Sequence, residues 1–269
     1  MKRFRLVACA LAALVALALA ANGQRVATAL LQLYGPSVAA SSAIISEHEM
    51  AEINSMQPQE QAERLVERAI NHYQGAAEEI ARRADGWTGV IQSSSKLKTM
   101  TGTAYFSNDL RVRAIALEIW LAEYNLHKTS ETVEELIRGL AASGDRRYFL
   151  LSNLGILGNR GIEPEKVFST IMLYVNDPDP GTRSGAINAL ALLGSENTME
   201  PLLQIFQTDS SYDLRERAAC NLADSGMLSR ELRKRAVPEL ARLSQDPNLD
   251  SRMKTWVAQA LSEINHAGQ

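Results

Sequence analysis

Cysteine is nearly absent from this chain of 269 residues, which holds only Cys9 and Cys220. Cys9 falls inside an N-terminal apolar stretch, so a processed chain keeps one thiol and no internal disulfide. Its fold must then rest on its core alone. Aromatic residues are scarce at 6%. Beside abundant Ala and Leu, that scarcity leans towards all-helical packing. An excess of positive charge is also missing. The formal net charge is −3, and an acidic chain does not neutralise phosphates by mass effect, so nucleic acid is not an expected partner.

Catalytic and metal-binding patterns are missing as well. His48, His72, His127 and His266 are widely separated, with no partner at metal-ligand spacing. No second histidine follows His48-Glu49 four residues on, as a zincin helix requires. Ser93-Ser94-Ser95-Lys96 satisfies a Ser-x-x-Lys pattern, but Ser107-Asn108-Asp109 and Lys98-Thr99-Met100 are not the companion motifs, and no strand exists to carry them. Gly155-x-x-Gly158-x-x-Gly161 follows no strand, so a phosphate-cradling loop has no scaffold. Neighbouring carboxylates such as Glu78/Glu79 and Glu134/Glu135 point to different sides of a helix. No cofactor and no metal is called for.

What is present begins with a targeting signal. Lys2, Arg3 and Arg5 precede an unbroken apolar run from Leu6 to Ala21, and Ala18-Leu19-Ala20 offers small residues to a signal peptidase. The run is 16 residues long, short of the roughly 20 that a spanning helix needs. Residues 1–20 therefore read as a signal peptide, with an uncleaved anchor as the alternative. Leu6-Val7-Ala8-Cys9 precedes the apolar run instead of ending it, so it is not a lipoprotein box. Export to the periplasm or beyond is the expected localisation. Cleavage removes three positive charges and leaves no membrane span.

Residues 21–46 read as a linker or weak helix, and 47–106 as an N-terminal helical segment. Gln59 to Asp85 shows one long helical pattern, with Leu65, Ile70, Tyr73 and Ile80 as spaced apolar positions, broken by Gly86, Gly89 and the Ser93–Ser95 cluster.

Residues 107–266 repeat. Thr182 to Gly194 laid over Leu214 to Gly226 matches Arg183 with Arg215, Ala186 with Ala218, Leu190 with Leu222 and Gly194 with Gly226. The same register catches Arg147, Leu150, Leu154, Leu157 and Gly158 upstream, and Lys254, Val257, Leu261, Ile264 and Asn265 at the end. A fifth copy starts at Arg113, with Ala116 and Trp120. The bases are spaced 34, 36, 32 and 39 residues apart. A preceding amphipathic helix repeats too. Pro201, Leu203, Phe206 and Asp209 match Pro238, Leu240, Leu243 and Asp246, while Ile171, Tyr174 and Asp177 follow without the proline. Asp177 and Asp209 each stand six residues before a base, Arg183 and Arg215. The unit is a helical hairpin with an acid at its turn, able to cap the next helix or pair with its Arg. One hairpin cannot bury both apolar faces, so hairpins stack into an all-α solenoid.

These residues resemble the HEAT-repeat family, in its short bacterial variant named after phycobilisome lyases. The turn acid, the x-Arg-x-x-Ala opening and the closing Gly carry the likeness, over about residues 109–266. The resemblance implies a right-handed superhelix whose second helices line a concave face. It does not imply lyase chemistry.

The expected function is a non-enzymatic scaffold that holds a protein or peptide in that concave groove. Two columns of the second helices are expected to form the binding face: Tyr148, Ser184, Glu216 and Thr255, and, one turn on, Ser152, Asn188, Cys220 and Gln259. Glu118 shares the second column, whose polar character places it away from the Ala/Leu core stripe and leaves Cys220 partly exposed. Arg230, Arg233, Lys234 and Arg235 read as a solubilising convex face. A lyase-type enzyme would instead need a pocket lined by Trp87, Ser93, Lys96 and Tyr105. A third reading makes residues 25–106 an assembly segment of an envelope complex.

Overall fold

The computed structural model describes residues 43–266 except 108, 143, 145 and 229. The targeting segment 1–20 and linker residues 21–42 lie outside the described residues, as do the side chains of Asn265 and His266. Thirteen α-helices follow one another among the described residues, with one short 3-10 turn and no strand. They are α1 (Glu47–Ser55), α2 (Pro58–Ile70), α3 (Ala76–Trp87), α4 (Ser95–Tyr105), α5 (Leu110–Glu123), α6 (Ser130–Ala142), α7 (Arg147–Asn159), α8 (Pro164–Met172), α9 (Pro180–Leu193), α10 (Met199–Thr208), α11 (Tyr212–Leu228), α12 (Arg230–Ser244) and α13 (Ser251–His266). No helix among the described residues is long and apolar enough to cross a membrane.

Helix starts and stops follow local chemistry. Ser46, Ser94, Asp109 and Asp179 accept backbone N–H groups in the first turns of α1, α4, α5 and α9. Pro58, Pro164 and Pro180 open α2, α8 and α9 at positions that need no N–H. Gly194 closes α9 in the left-handed conformation, at φ 59°. The single helix expected over Gln59–Asp85 is two helices. His72 and Gly75 both take positive φ, which reverses the chain between α2 and α3. Gly86, expected as a breaker, lies inside α3.

From α6 onward, second helices α7, α9, α11 and α13 pack in a row, each joined to the first helices beside it. The α7–α9 pair is the closest. A Cβ on Gly155 would stand 2.6 Å from the Ala189 carbonyl, and one on Gly185 would stand 2.7 Å from the Tyr148 backbone. The Gly155/Gly158 spacing therefore serves helix packing: Gly158 leaves room for Leu193 and Val167.

Helix α5 departs from the expected register. As the second helix of a fifth unit it would end the row and touch α7 alone. It touches α7, α9 and α11 together, besides α2, α3 and α4. Its sequence explains why. Leu110, Ala114, Leu117 and Leu121 enter the solenoid core. Val112, Ile115, Ala116, Ile119 and Ala122 enter a second core built from α1–α4. Apolar side chains on both faces suit a helix enclosed between two layers, not a surface helix.

Candidate functional site

The two expected binding columns are graded in exposure along the row. Ser152 on α7 and Asn188 on α9 are buried, at 0% and 1%. Tyr148, Ser184, Glu216 and Cys220 are half-buried, and Thr255 and Gln259 are exposed. The polar column does face the inside of the row, but α5 covers its first half. Ser152 and Asn188 are therefore removed from any partner-facing surface. Cys220, further along the same column, is half-buried.

Beneath α5 the column is a buried polar network. Asn188 Nδ2 donates to Ser152 Oγ at 2.9 Å, and Ser152 lies 3.5 Å from the Tyr105 hydroxyl. Arg113, read as the base of a fifth unit, donates instead to Asn188 and Asn221 at 3.3 and 3.4 Å and ion-pairs with Asp224. One guanidinium thus ties α5 to α9 and α11. Glu118, fully buried, is held by Arg160 and Lys128, each at 2.6 Å. Buried charges persist when they are paired in this way. Burial pushes the Tyr105 phenol far above its ordinary range, so it stays protonated.

The turn acids and bases form a ladder. Arg183 Nη1 donates to the Asp177 carbonyl at 2.8 Å, and Arg215 Nε to the Asp209 carbonyl at 2.7 Å, so each base closes its own turn. The carboxylates pair with the preceding unit: Arg147 with Asp177 at 3.4 Å, and Arg183 with Asp209 at 3.0 Å. Asp177 and Asp209 also accept the N–H two residues on, from Asp179 and Ser211. This corrects the expected roles. Asp179, not Asp177, caps α9, and each carboxylate binds the previous unit's base instead of its own. A cleft of about 290 Å³ opens beside the ladder, walled by Met172, Val175, Pro201 and Ile205. Its charged lining residues, Asp177, Arg183 and Asp209, are already paired.

At the α7 end, Tyr148 joins a ribbon of rings. Tyr105 lies 5.4 Å from Phe106, 4.8 Å from Trp120 and 6.1 Å from Tyr148; Phe149 lies 5.2 Å from Trp120 and 6.5 Å from Tyr124. Phe106 and Tyr124 are exposed. At the other end the inner surface is open. Tyr212, Glu216 and Cys220 recur every four residues on α11, and Arg252, Thr255 and Gln259 share one face of α13. The Tyr212 ring lies 5.3 Å from both the Arg215 and Arg252 guanidinium carbons, and Arg252 also lies 5.1 Å from the Trp256 ring. Burial pushes the Glu216 carboxyl up, Arg252 and Arg217 pull it partly back, and Asp213 adds to the rise. Tyr212 and Arg252 were missed in the sequence. Tyr212 could have been found as the position one turn before Glu216.

Among the described residues, the four side chains expected to line a lyase-type pocket make separate contacts. Trp87 is buried in the N-terminal core, Ser93 is exposed, Lys96 pairs with Glu63 at 3.0 Å, and Tyr105 turns towards Ser152. Among the described residues, no group of His, Cys, Asp and Glu could hold a metal ion.

The fold and the ladder define an all-α helical-repeat solenoid. Residues 133–223 match the family described as HEAT repeats. Among solved structures the chain is similar to an engineered protein of the Northeast Structural Genomics Consortium, at 17% identity and TM-score 0.38, covering 77% of this chain and 97% of that one. It is also similar to a designed armadillo repeat protein, at 14% identity and TM-score 0.35, covering 76% and 99%. No curated protein matches it.

Proposed function

We propose that the protein is an exported, non-enzymatic scaffold that binds a protein or peptide at the end of its inner face left open by α5. The observation that carries this reading is the exposure gradient. One column is sealed at Ser152 and Asn188 and open at Gln259, and the other is open at Thr255. A rigid array of side chains without a convergent catalytic set suits recognition better than turnover. Tyr212 and Arg252 supply the residue types that most often dominate interface energy. Export rests on the N-terminal basic and apolar segments and the small-residue site.

Two experiments test this reading. Intact-mass measurement of the protein recovered from the cell envelope should show loss of residues 1–20, and a retained N-terminus would make it an anchor. Cross-linking in the envelope followed by mass spectrometry identifies the partner. Gln259→Trp should then abolish capture, while Lys234→Glu on α12 should leave it intact. Capture lost only with Lys234→Glu would move binding to the outer face.

A further inference from the structure

The open end carries more positive charge than its pairing needs. Among the described residues most cations are matched with carboxylates, including Arg113, Lys128, Arg147, Arg160 and Arg183. Arg215, Arg217, Arg252 and Lys254 have no carboxylate within ion-pair distance. All four lie in the opening turns of α11 and α13. The ladder explains part of this. Arg147 and Arg183 each reach forward to the next unit's acid, whereas Arg215 and Lys254 do not. Arg215 is spent on the Asp209 carbonyl and Met253. Arg252 and Arg217 are exposed, and neither donates a hydrogen bond among the described residues. The Arg252 guanidinium lies over the Tyr212 and Trp256 rings, 5.3 and 5.1 Å from their centres, within cation–π range. Three carboxylates share the region: Asp213, Glu216 and Asp250, which accepts the Met253 N–H at the start of α13. Four cations outweigh them in a chain whose net charge is −3.

We propose that this end of the groove receives an acidic segment of a partner protein, its carboxylates held by Arg252 and Arg217 and its chain resting against Tyr212. The inference rests on the open-end reading above and adds the chemistry of the partner. A guanidinium already oriented by a ring loses little freedom when it takes a carboxylate through two parallel hydrogen bonds. Lys254 and the long-range field of the cluster favour approach of negative charge.

The test uses the exported chain and labelled oligoglutamate, with oligolysine and oligothymidylate of equal length, read by fluorescence anisotropy at low salt. Oligoglutamate should bind best and weaken as salt rises. Arg252→Glu should weaken it about tenfold or more. Arg138→Glu, the same change at an exposed, unpaired arginine of α6, should do little. Gln259→Trp should also weaken it, by obstruction without a change of charge. Equal losses with Arg252→Glu and Arg138→Glu would overturn the proposal, as would tighter binding of oligothymidylate. Absence of oligoglutamate binding, with native-partner capture still lost on Gln259→Trp, would overturn the acidic partner alone. If Gln259→Trp leaves capture intact, the open-end reading itself falls.

Discussion

At the scale of single residues, the most consequential groups are the turn acids. Asp209 accepts from the Arg183 side chain and the Ser211 N–H, and its own carbonyl is taken by Arg215. The Arg183–Asp209 pair is largely shielded, at 13% and 7% exposure. Removing the carboxylate leaves the Arg183 guanidinium with the Asp177 and Pro178 carbonyls but without its paired charge. Asp209→Ala should therefore cost roughly 1.5–3 kcal/mol, the range for hydrogen bonds to charged groups. Glu134 pairs with Lys166, but both are 44% exposed, and Glu134→Ala should lie within about 0.5 kcal/mol of zero. A urea denaturation series measures both. Equal costs would contradict the ladder. The sequence made the acid and base visible, because their six-residue spacing recurs. It left the partner of each carboxylate open, because pairing across units depends on how closely the hairpins stack.

At the scale of elements, two helices carry the argument. In α7, Gly155 is small because α9 passes over it. Gly155→Ala gains helix propensity but forces a methyl against the Ala189 carbonyl, and should destabilise by about 1–3 kcal/mol. Gly102 in α4 meets nothing within 4 Å, so Gly102→Ala should stabilise by about 0.5–1 kcal/mol. Thermal unfolding of the two variants should move in opposite directions. In α5, the capping carboxylate of Asp109 is raised by burial, but His72 and a bidentate Arg111 overcome this and hold it well below the carboxylate range. A depressed folded value gives stability that is present above the unfolded pKa, about 3.9, and is lost as pH falls further. The wild type should therefore lose melting temperature more steeply below about pH 4 than Asp109→Asn, in which nothing titrates at that site. Parallel pH profiles would contradict the assignment. Helix α5 was the element misplaced by sequence reasoning. Arg113, Ala116 and Trp120 fit the repeat register, but apolar residues on both its faces were the stronger signal, and they place it between two cores.

At the scale of the molecule, the described residues form a helical solenoid with α5 seated across its second helices. The all-α repeat and its hairpin unit were legible in the sequence, because their acid, base and apolar positions recur at fixed spacing. The filled half of the groove was not, because the contacts that fill it join residues about a hundred positions apart and repeat nowhere. Arg113 and Asp224 are the sharpest of these, side chains 12% and 6% exposed in one ion pair. A double-mutant cycle on Arg113→Ala and Asp224→Ala, read by chemical denaturation, tests the placement of α5 most directly. A helix seated across α9 and α11 predicts a coupling energy of about 1.5–3 kcal/mol between them. Coupling near zero would put α5 back at the end of the row and reopen the whole inner face.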